Sequence, residues 1–538
     1  MTVREELYNG INIQKPWPPR MKEKEQALKK NIDRIPETIC YLSNPPKVIP
    51  IHVGRQLFVD DFLIDTSTLQ RKYYYPEPYV GNPILKPQTK IEKNEGCCPV
   101  AATFTDGVFY DSKDGLYKMW YQAGWFDGTA YAESLDGQNW YRPDLDVVPG
   151  TNMVLPFRKG YKRDGATVWI DHETKDPKSR YKLFVFFRKN EVEEIGELYI
   201  SSDGIHWNGP TITGPCGDAS SFFYNPFRKK WVFSIRKVDV EGDFHYRYRQ
   251  YYETEDFLKG ADWGRNDPVF WYGADDLDKK HAIYDCTTQL YGVDCVAYES
   301  ILLGAFEIFK GPHNRIAEEL LVGKGANGLQ CDITLGYSRD GFHFCRPDRT
   351  AFLKGSEKKG TWDYGYIHAS GGLCIVEKDQ LRFYYSAWSG ESPKYGKHMY
   401  AGGATGYATL RRDGFASVAA EKEGFLKTRV LVFKGEYLWL NTISDLGEVR
   451  VEVRTASDEP INGFRKEECE PVITDSTKVM VRWSSGNSLK QLEGKPIRFV
   501  FWIRKAEVFS FWVSDDERGK SRGYMGAGST NCEGIRDI

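Results

Sequence analysis

The 538-residue sequence has no long run of a single charge and no apolar stretch long enough to span a bilayer. Its 73 Lys and Arg nearly balance 75 Asp and Glu, for a net charge of −2. Phosphate backbones are held by clustered cations, so the balance argues against a nucleic-acid partner. The missing apolar runs argue against a membrane partner. Cysteine is sparse and irregular: 11 residues, an odd number, with no Cys-x-x-Cys pair. The nine His show no metal-ligand spacing. Neither a zinc site nor a disulfide framework is expected, and the cysteines read as small buried thiols in a reducing compartment. Residues 1–35 are charged and Pro-bearing, without an apolar signal core. The expectation is a cytoplasmic protein, or a periplasmic or secreted one if a leader once preceded Met1. No cofactor motif is present. A structural cation and self-association into a homo-oligomer are left open.

What the sequence does have is aromatics, 14% of residues, and a phrase that repeats. Aromatic side chains favour strands. Ser134 to Trp140 reads Ser-x-Asp-Gly-x-x-Trp, and so does Ser201 to Trp207. Ser338 to Phe344 carries Phe for Trp, and Arg411 to Phe415 starts the phrase and loses the aromatic. The Asp positions 136, 203, 340 and 413 leave gaps of 67, 137 and 73. The double gap predicts a drifted copy, and Thr254-Glu255-Asp256 with Trp263 downstream fits it. Five such units predict a five-bladed β-propeller.

Residues 1–53 read as an irregular leader with a short charged helix over Lys22 to Lys30, and 54–419 as the propeller. Residues 420–538 read as a C-terminal β-sandwich, from short alternating runs such as Val449 to Val453 and Ile497 to Ile503. The chain is therefore all-β. Gly54 to Ile64 looks like a strand and is expected to close the propeller by joining the last blade.

The repeated Asp reads as scaffold, because Asp-Gly suits a tight turn and the aromatic anchors a blade. Chemistry is sought instead where inner strands begin around the axis. Counting back from the turns at Asp111, Asp171, Asn225 and Glu299 by odd offsets, which share one strand face, gives Asp106, Asp164, Asp218 and Asp294. The fifth blade offers His368, counted from Glu377. Glu299 stays a candidate in case the register slips. Convergent carboxylates suit glycoside hydrolysis, in which one group protonates the leaving oxygen and another attacks or activates water. Trp125, Tyr291 and Trp362, with Trp120 and Trp388, are candidates to stack on sugar rings. Arg236, Arg247 and Arg249 are candidates for an acidic sugar.

Asp106 to Gln122, DGVFYDSKDGLYKMWYQ, resembles the first blade of the invertase-like glycoside hydrolases, with the Asp-Gly turn and final Gln in register. Lys162-Arg163-Asp164-Gly165 is similar to that group's Arg-Asp-Pro motif. The repeated phrase is similar to the Ser-x-Asp-Leu-x-x-Trp of families 32 and 43. Gly54 to Asp61 and Tyr224 to Arg228 resemble bacterial family-32-like proteins. The resemblance to families 32, 43 and 68 implies a five-bladed catalytic propeller and, for family 32, a C-terminal sandwich. It implies Asp106 as nucleophile or base, Asp164 as transition-state stabiliser with Arg163 beside it, and an oligosaccharide or glycoside substrate, a furanoside first. Pro and Asn are missing after Asp106, Gly replaces Pro after Asp164, and the acid-bearing Glu-Cys motif has no counterpart, so Asp218 or Asp294 is offered as acid or sugar ligand. The alternatives are a non-catalytic carbohydrate-binding propeller and a sialidase-like or lyase-type propeller enzyme.

Overall fold

A computed structural model describes residues 4–190, 193–241, 244–282, 286–311 and 329–538. Five antiparallel sheets follow one another around an axis, each starting with its innermost strand. Blade one runs through Ala101–Asp111, Leu116–Ala123, Gly128–Ser134 and Met153–Leu155. Blade two is Tyr161–Ile170, Tyr181–Lys189, Glu193–Ser201 and Asn208–Ile212, and blade three is Ser221–Asn225, Lys230–Glu241, Phe244–Thr254 and Val269–Gly273. Blade four is Gln289–Glu299, Ile301–Gly311, Gln330–Ser338 and Phe344–Cys345. Blade five is Tyr366–Glu377, Gln380–Trp388 and Gly403–Arg411. Alternating side chains on both faces of each blade bury Tyr, Phe and Trp against the next blade, which makes one continuous core.

Closure differs from the expectation for Gly54 to Ile64. The strand that joins the outer edge of blade five is Glu77–Pro78, paired with Ala408 and Thr409. Gln56–Leu57 and Ile64–Ser67 belong to the second unit, on Ile497–Ser514 and Ala416–Thr428. The reason is hydrophobic: Phe58, Phe62 and Leu63 are fully buried with Phe499, Phe501 and Phe511 of the sandwich. The sandwich thus takes strands from before and after the propeller. Its long strand Ile497–Ser514 pairs with Glu448–Thr455 through its first half and Tyr437–Ile443 through its second. The helix expected near Lys22 spans Lys22–Lys29. Among the described residues no helix is long and apolar enough to cross a membrane.

The repeated phrase is a turn built by its own side chains. Asp136 Oδ1 accepts from the amides of Gln138 and Asn139, and Ser134 Oγ from that of Gly137. Asp203 and Asp340 repeat the pattern. So does the drifted copy, where Asp256 Oδ1 accepts from Leu258 and Lys259, with Thr254 in place of Ser. The phrase also couples neighbouring blades. Trp120 of blade one donates from Nε1 to Gly204 O of blade two at 2.8 Å. Trp271 of blade three donates to Phe342 O of blade four at 2.8 Å, and Tyr384 of blade five to Gly137 O of blade one at 2.8 Å. Replacing Trp120 by Phe keeps the packing and orphans a buried carbonyl, so it is expected to lower unfolding free energy by about 1–3 kcal/mol. A urea titration matching the parent would remove the clamp role.

Asp413, the last copy, does something else. Its carboxylate takes no turn amides. It accepts from Arg55 Nη1 at 2.9 Å, Ser510 Oγ at 2.6 Å, Tyr298 OH at 2.5 Å and Asn441 Nδ2 at 3.1 Å, which join propeller to sandwich.

Candidate functional site

A cavity of about 440 Å³ opens where the inner strands begin, lined by Phe104, Trp125, Phe126, Lys162, Asp164, Arg188, Asp218, Tyr291, Tyr366, Trp388 and Tyr400. Trp125 stacks on Tyr400 with ring centroids 4.3 Å apart and 9° between planes. Tyr366 and Trp388 meet at 5.2 Å and add a second aromatic pair to the lining. The aromatics come from the first-to-arrive ends of blades one, four and five, and the charged groups from blade two and the approach to blade three.

Asp164 and Asp218 face each other across Arg188. Arg188 donates from Nε and Nη2 to Asp164 Oδ2 at 3.1 Å each, and from Nη2 to Asp218 Oδ2 at 2.5 Å. Arg236 closes on the other oxygen of Asp218. Trp125, Tyr291 and Trp388 line the same cavity.

Asp106 is not on the wall. It is 0% exposed and paired with the equally buried Arg163, whose Nη1 donates to the backbone of Asp164 at 2.7 Å and whose Nε donates to Thr129. The odd-offset count fails here for a local reason. The pairing of Ala101–Asp111 with Leu116–Ala123 slips between Ala102 and Gly107, with Phe104 at φ 46° and Gly107 at φ 139°. The bulge turns Phe104 toward the cavity and sets Asp106 one layer beneath it. Burial, partly offset by Arg163, raises the Asp106 pKa to about 6.

Asp294 and His368 also lie under the floor rather than on it. His368 is 0% exposed, sandwiched among Phe104, Tyr291, Tyr366 and Trp388, and its Nδ1 sits 3.0 Å from Glu307 Oε2. Glu307 also accepts from the amide of Ala369 at 2.9 Å. Asp294 is buried beside Glu307, and burial followed by that neighbouring carboxylate pushes it up to about 7. The folded state therefore keeps a proton that an unfolded Asp releases near pH 4, and stability falls as pH rises from about 4 to about 7. Asp294→Asn is expected to flatten that fall: its melting temperature should exceed the parent's at pH 8 and not at pH 4. Parallel pH profiles for the two proteins would contradict it.

Glu299 is removed from the candidates. It ends the strand Gln289–Glu299, eight residues and roughly 26 Å beyond Tyr291. There it accepts from Arg55 N at 3.0 Å, Ser521 Oγ at 2.7 Å and Arg412 Nη2 at 3.0 Å, at the junction with the sandwich. Trp362 is removed as well: it packs on Tyr385 at 5.3 Å, over the space left by Gly406 on the flank of blade five. Sequence reasoning missed Arg188, Glu307, Lys162, Phe104, Phe126, Tyr366 and Tyr400. Glu307 carried a signal, as a lone acid inside the apolar run Ile301 to Phe309. Among the described residues no group of three or more His, Cys, Asp or Glu is arranged to hold a metal ion.

No family model matches the sequence, and no curated protein matches it. Solved structures that overlap the chain include an N-acetylgalactosamine deacetylase from F. plautii in complex with blood group B trisaccharide, at 15% identity and TM-score 0.39 over 65% of this chain and 96% of that one. A thermostable family-43 glycoside hydrolase overlaps at 14% identity and TM-score 0.41, over 60% and 96%. An alpha-L-arabinofuranosidase from Lactobacillus brevis overlaps at 10% and 0.35, over 59% and 93%. Overlap at this level carries no argument about chemistry, which rests on the cavity itself.

Proposed function

We propose that the protein is a glycoside hydrolase that removes a terminal sugar in the axial cavity. The observation that carries the reading is the carboxylate pair among aromatic walls. One Arg188 nitrogen lies 3.1 Å from Asp164 and 2.5 Å from Asp218, so those two oxygens are no more than about 5.6 Å apart, a limit that admits the ~5–5.5 Å of a retaining pair. The volume lies in the usual range for small-ligand pockets, and the aromatic faces supply stacking surface for sugar rings.

Asp218 is contacted by two guanidiniums, Arg188 and Arg236, a setting that suits the nucleophile, and Asp164, contacted by Arg188 alone, is assigned the acid. In the first step a bond forms from Asp218 to the anomeric carbon as the bond to the leaving oxygen breaks, and Asp164 gives that oxygen its proton. In the second, Asp164 takes a proton from water, whose oxygen replaces Asp218 on the sugar. Arg163 and Asp106 act as positioning residues, since Arg163 ties the backbone of Asp164 to blade one. The sequence resemblance favours a furanoside, such as a fructoside or arabinofuranoside, as the sugar.

A carbohydrate-binding propeller without turnover is the second reading. The observation favouring it is Arg188 itself, which occupies both carboxylates. A panel of aryl glycosides and plant or microbial oligosaccharides, assayed for released sugar, decides between them. Release supports the hydrolase, and binding without release supports the second reading.

A further inference from the structure

The hairpin of blade three carries three arginines on one face. Arg236 on Lys230–Glu241 lies directly opposite Arg249 on Phe244–Thr254, and Arg247 lies two residues along on the same side. They are 9%, 0% and 8% exposed. Like charges placed opposite one another across two strands repel, and burial strengthens the repulsion. The shift of Arg236 reflects it. Arg236 is lowered to about 10 by burial and by Arg247, and Arg249 to about 10 by burial. A structure that keeps such a group normally supplies counter-charges, and among the described residues Arg247 and Arg249 make no ion pair. Near this end of the cavity Arg188 is answered by Asp164, Asp218 and, at 3.7 Å, Glu194, and Arg236 by Asp218, whereas the carboxylates acting on Arg249, Asp294 and Glu307, lie below the floor.

Hydrogen bonding tells the same story. Arg247 reaches Gln289 Oε1 at 2.8 Å, a neutral acceptor. Arg249 reaches the backbone carbonyls of Ala219 and Ser234. Arg236 Nε, Arg247 Nε, and Arg249 Nε and Nη2 are buried with no acceptor among the described residues. A buried donor left unmade is expensive, and a guanidinium fork matches an oxyanion. Arg236 lies over Tyr291, whose ring faces the cavity, at 5.7 Å, so the face stands immediately behind the sugar wall.

We propose that the substrate is an acidic sugar unit, whose carboxylate or sulfate group is held by the arginine face of Arg236, Arg247 and Arg249. This rests on the reading of the cavity as a sugar site and names the substrate class, in place of the neutral furanoside that the sequence resemblance alone favours. An oxyanion there accepts from the spare guanidinium donors. It also competes with Asp218 for Arg236, which frees one carboxylate oxygen to attack. A neutral sugar does neither. A second hollow, of about 700 Å³, is lined by Ser389 and Gly402, one and two residues in sequence from Trp388 and Tyr400 of the cavity, and by Lys93, Lys359 and Lys397 against one acid, Glu391.

The test has two arms. In the first, matched aryl glycosides are compared: glucoside with glucuronide, galactoside with galacturonide, and galactoside with its 6-sulfate. The acidic member is expected to have a kcat/KM larger by about a hundredfold or more, because a site built around polar groups rejects the analogue that leaves them unpaired. The pair showing the larger ratio tells carboxylate from sulfate. Arg247→Gln is expected to cut that ratio at least tenfold while its thermal unfolding stays cooperative; if it fails to fold, Arg236→Lys, which keeps charge and loses the fork, serves instead. The second arm needs no turnover. Calorimetric titration with free glucuronate and galactose 6-sulfate should show binding that glucose, galactose and inorganic sulfate do not match. Acidic sugars that bind without any glycoside being cleaved would uphold this inference and remove the hydrolase reading. Neutral glycosides cleaved as fast as acidic ones, with no preference for acidic sugars in the titration, would overturn the inference and leave the hydrolase standing. Inorganic sulfate binding as tightly as the sulfated sugar would also overturn it.

Discussion

Asp164→Asn and Asp218→Asn are each expected to lower kcat/KM on an unactivated oligosaccharide by about a thousandfold or more, since each removes one half of a two-carboxylate mechanism. The two losses should differ with the leaving group. An aryl leaving group departs without a proton, so Asp164→Asn should recover much of its rate on a nitrophenyl glycoside, whereas Asp218→Asn should not. Asn is close to isosteric with Asp, and the Arg188 contact of each residue can persist to the amide oxygen, so folding is expected to survive. Asp106→Asn provides the contrast. Asp106 is buried beneath the cavity and linked to Asp164 only through Arg163, so its loss should be smaller and should not depend on the leaving group. A larger, leaving-group-independent loss at Asp106 than at Asp218 would return the nucleophile to blade one.

The contrast between Asp106 and Asp164 also shows what the sequence could convey. The blades were legible because the phrase recurs and because its Ser, Asp and Gly each make the turn for a local reason. Even the drifted copy at Thr254 to Asp256 keeps the two amides on its Asp. The site was legible to within one layer. Counting by twos along an ideal strand placed every candidate near the axis, and Asp164 and Asp218 do stand on the cavity wall. The count could not see the bulge at Phe104, nor the second irregularity between Ala369 and Cys374 on the strand that carries His368. A bulge leaves no trace in a pattern of polar and apolar letters when the whole strand is buried on both faces. Arg188 escaped for a different reason. It closes the second strand of blade two, and its importance comes from two residues 24 and 30 positions away that only the closed propeller brings together.

The same logic makes Asp413 the residue whose loss should most damage the fold. Sequence places it as a fourth turn, yet structure gives it the junction between the two units. Burial alone would raise its pKa, but Arg55 and Arg412 outweigh burial and hold it at about 2. Arg55, itself buried, also sits 3.4 Å from Glu299 and 4.1 Å from the centre of the Trp512 ring. Asp413→Asn removes one of the two fully buried carboxylates facing Arg55 and Arg412, leaving Glu299 and, at 4.0 Å from Arg412, the partly buried Asp537. Breaking a buried ion pair from one side typically costs about 3–5 kcal/mol, and that loss is expected here at pH 7. The pH dependence gives the sign. Because the folded pKa lies below the unfolded one, the charge stabilises above about pH 4 and its contribution disappears as pH falls through about 2. Parent and variant should therefore converge in denaturant midpoint on acidification and separate at neutral pH. Equal midpoints at pH 7 would show that the junction does not depend on the Asp413 carboxylate. A single cooperative transition that moves to lower urea would mean the units still unfold together, whereas two transitions would mean that Asp413 is what couples them.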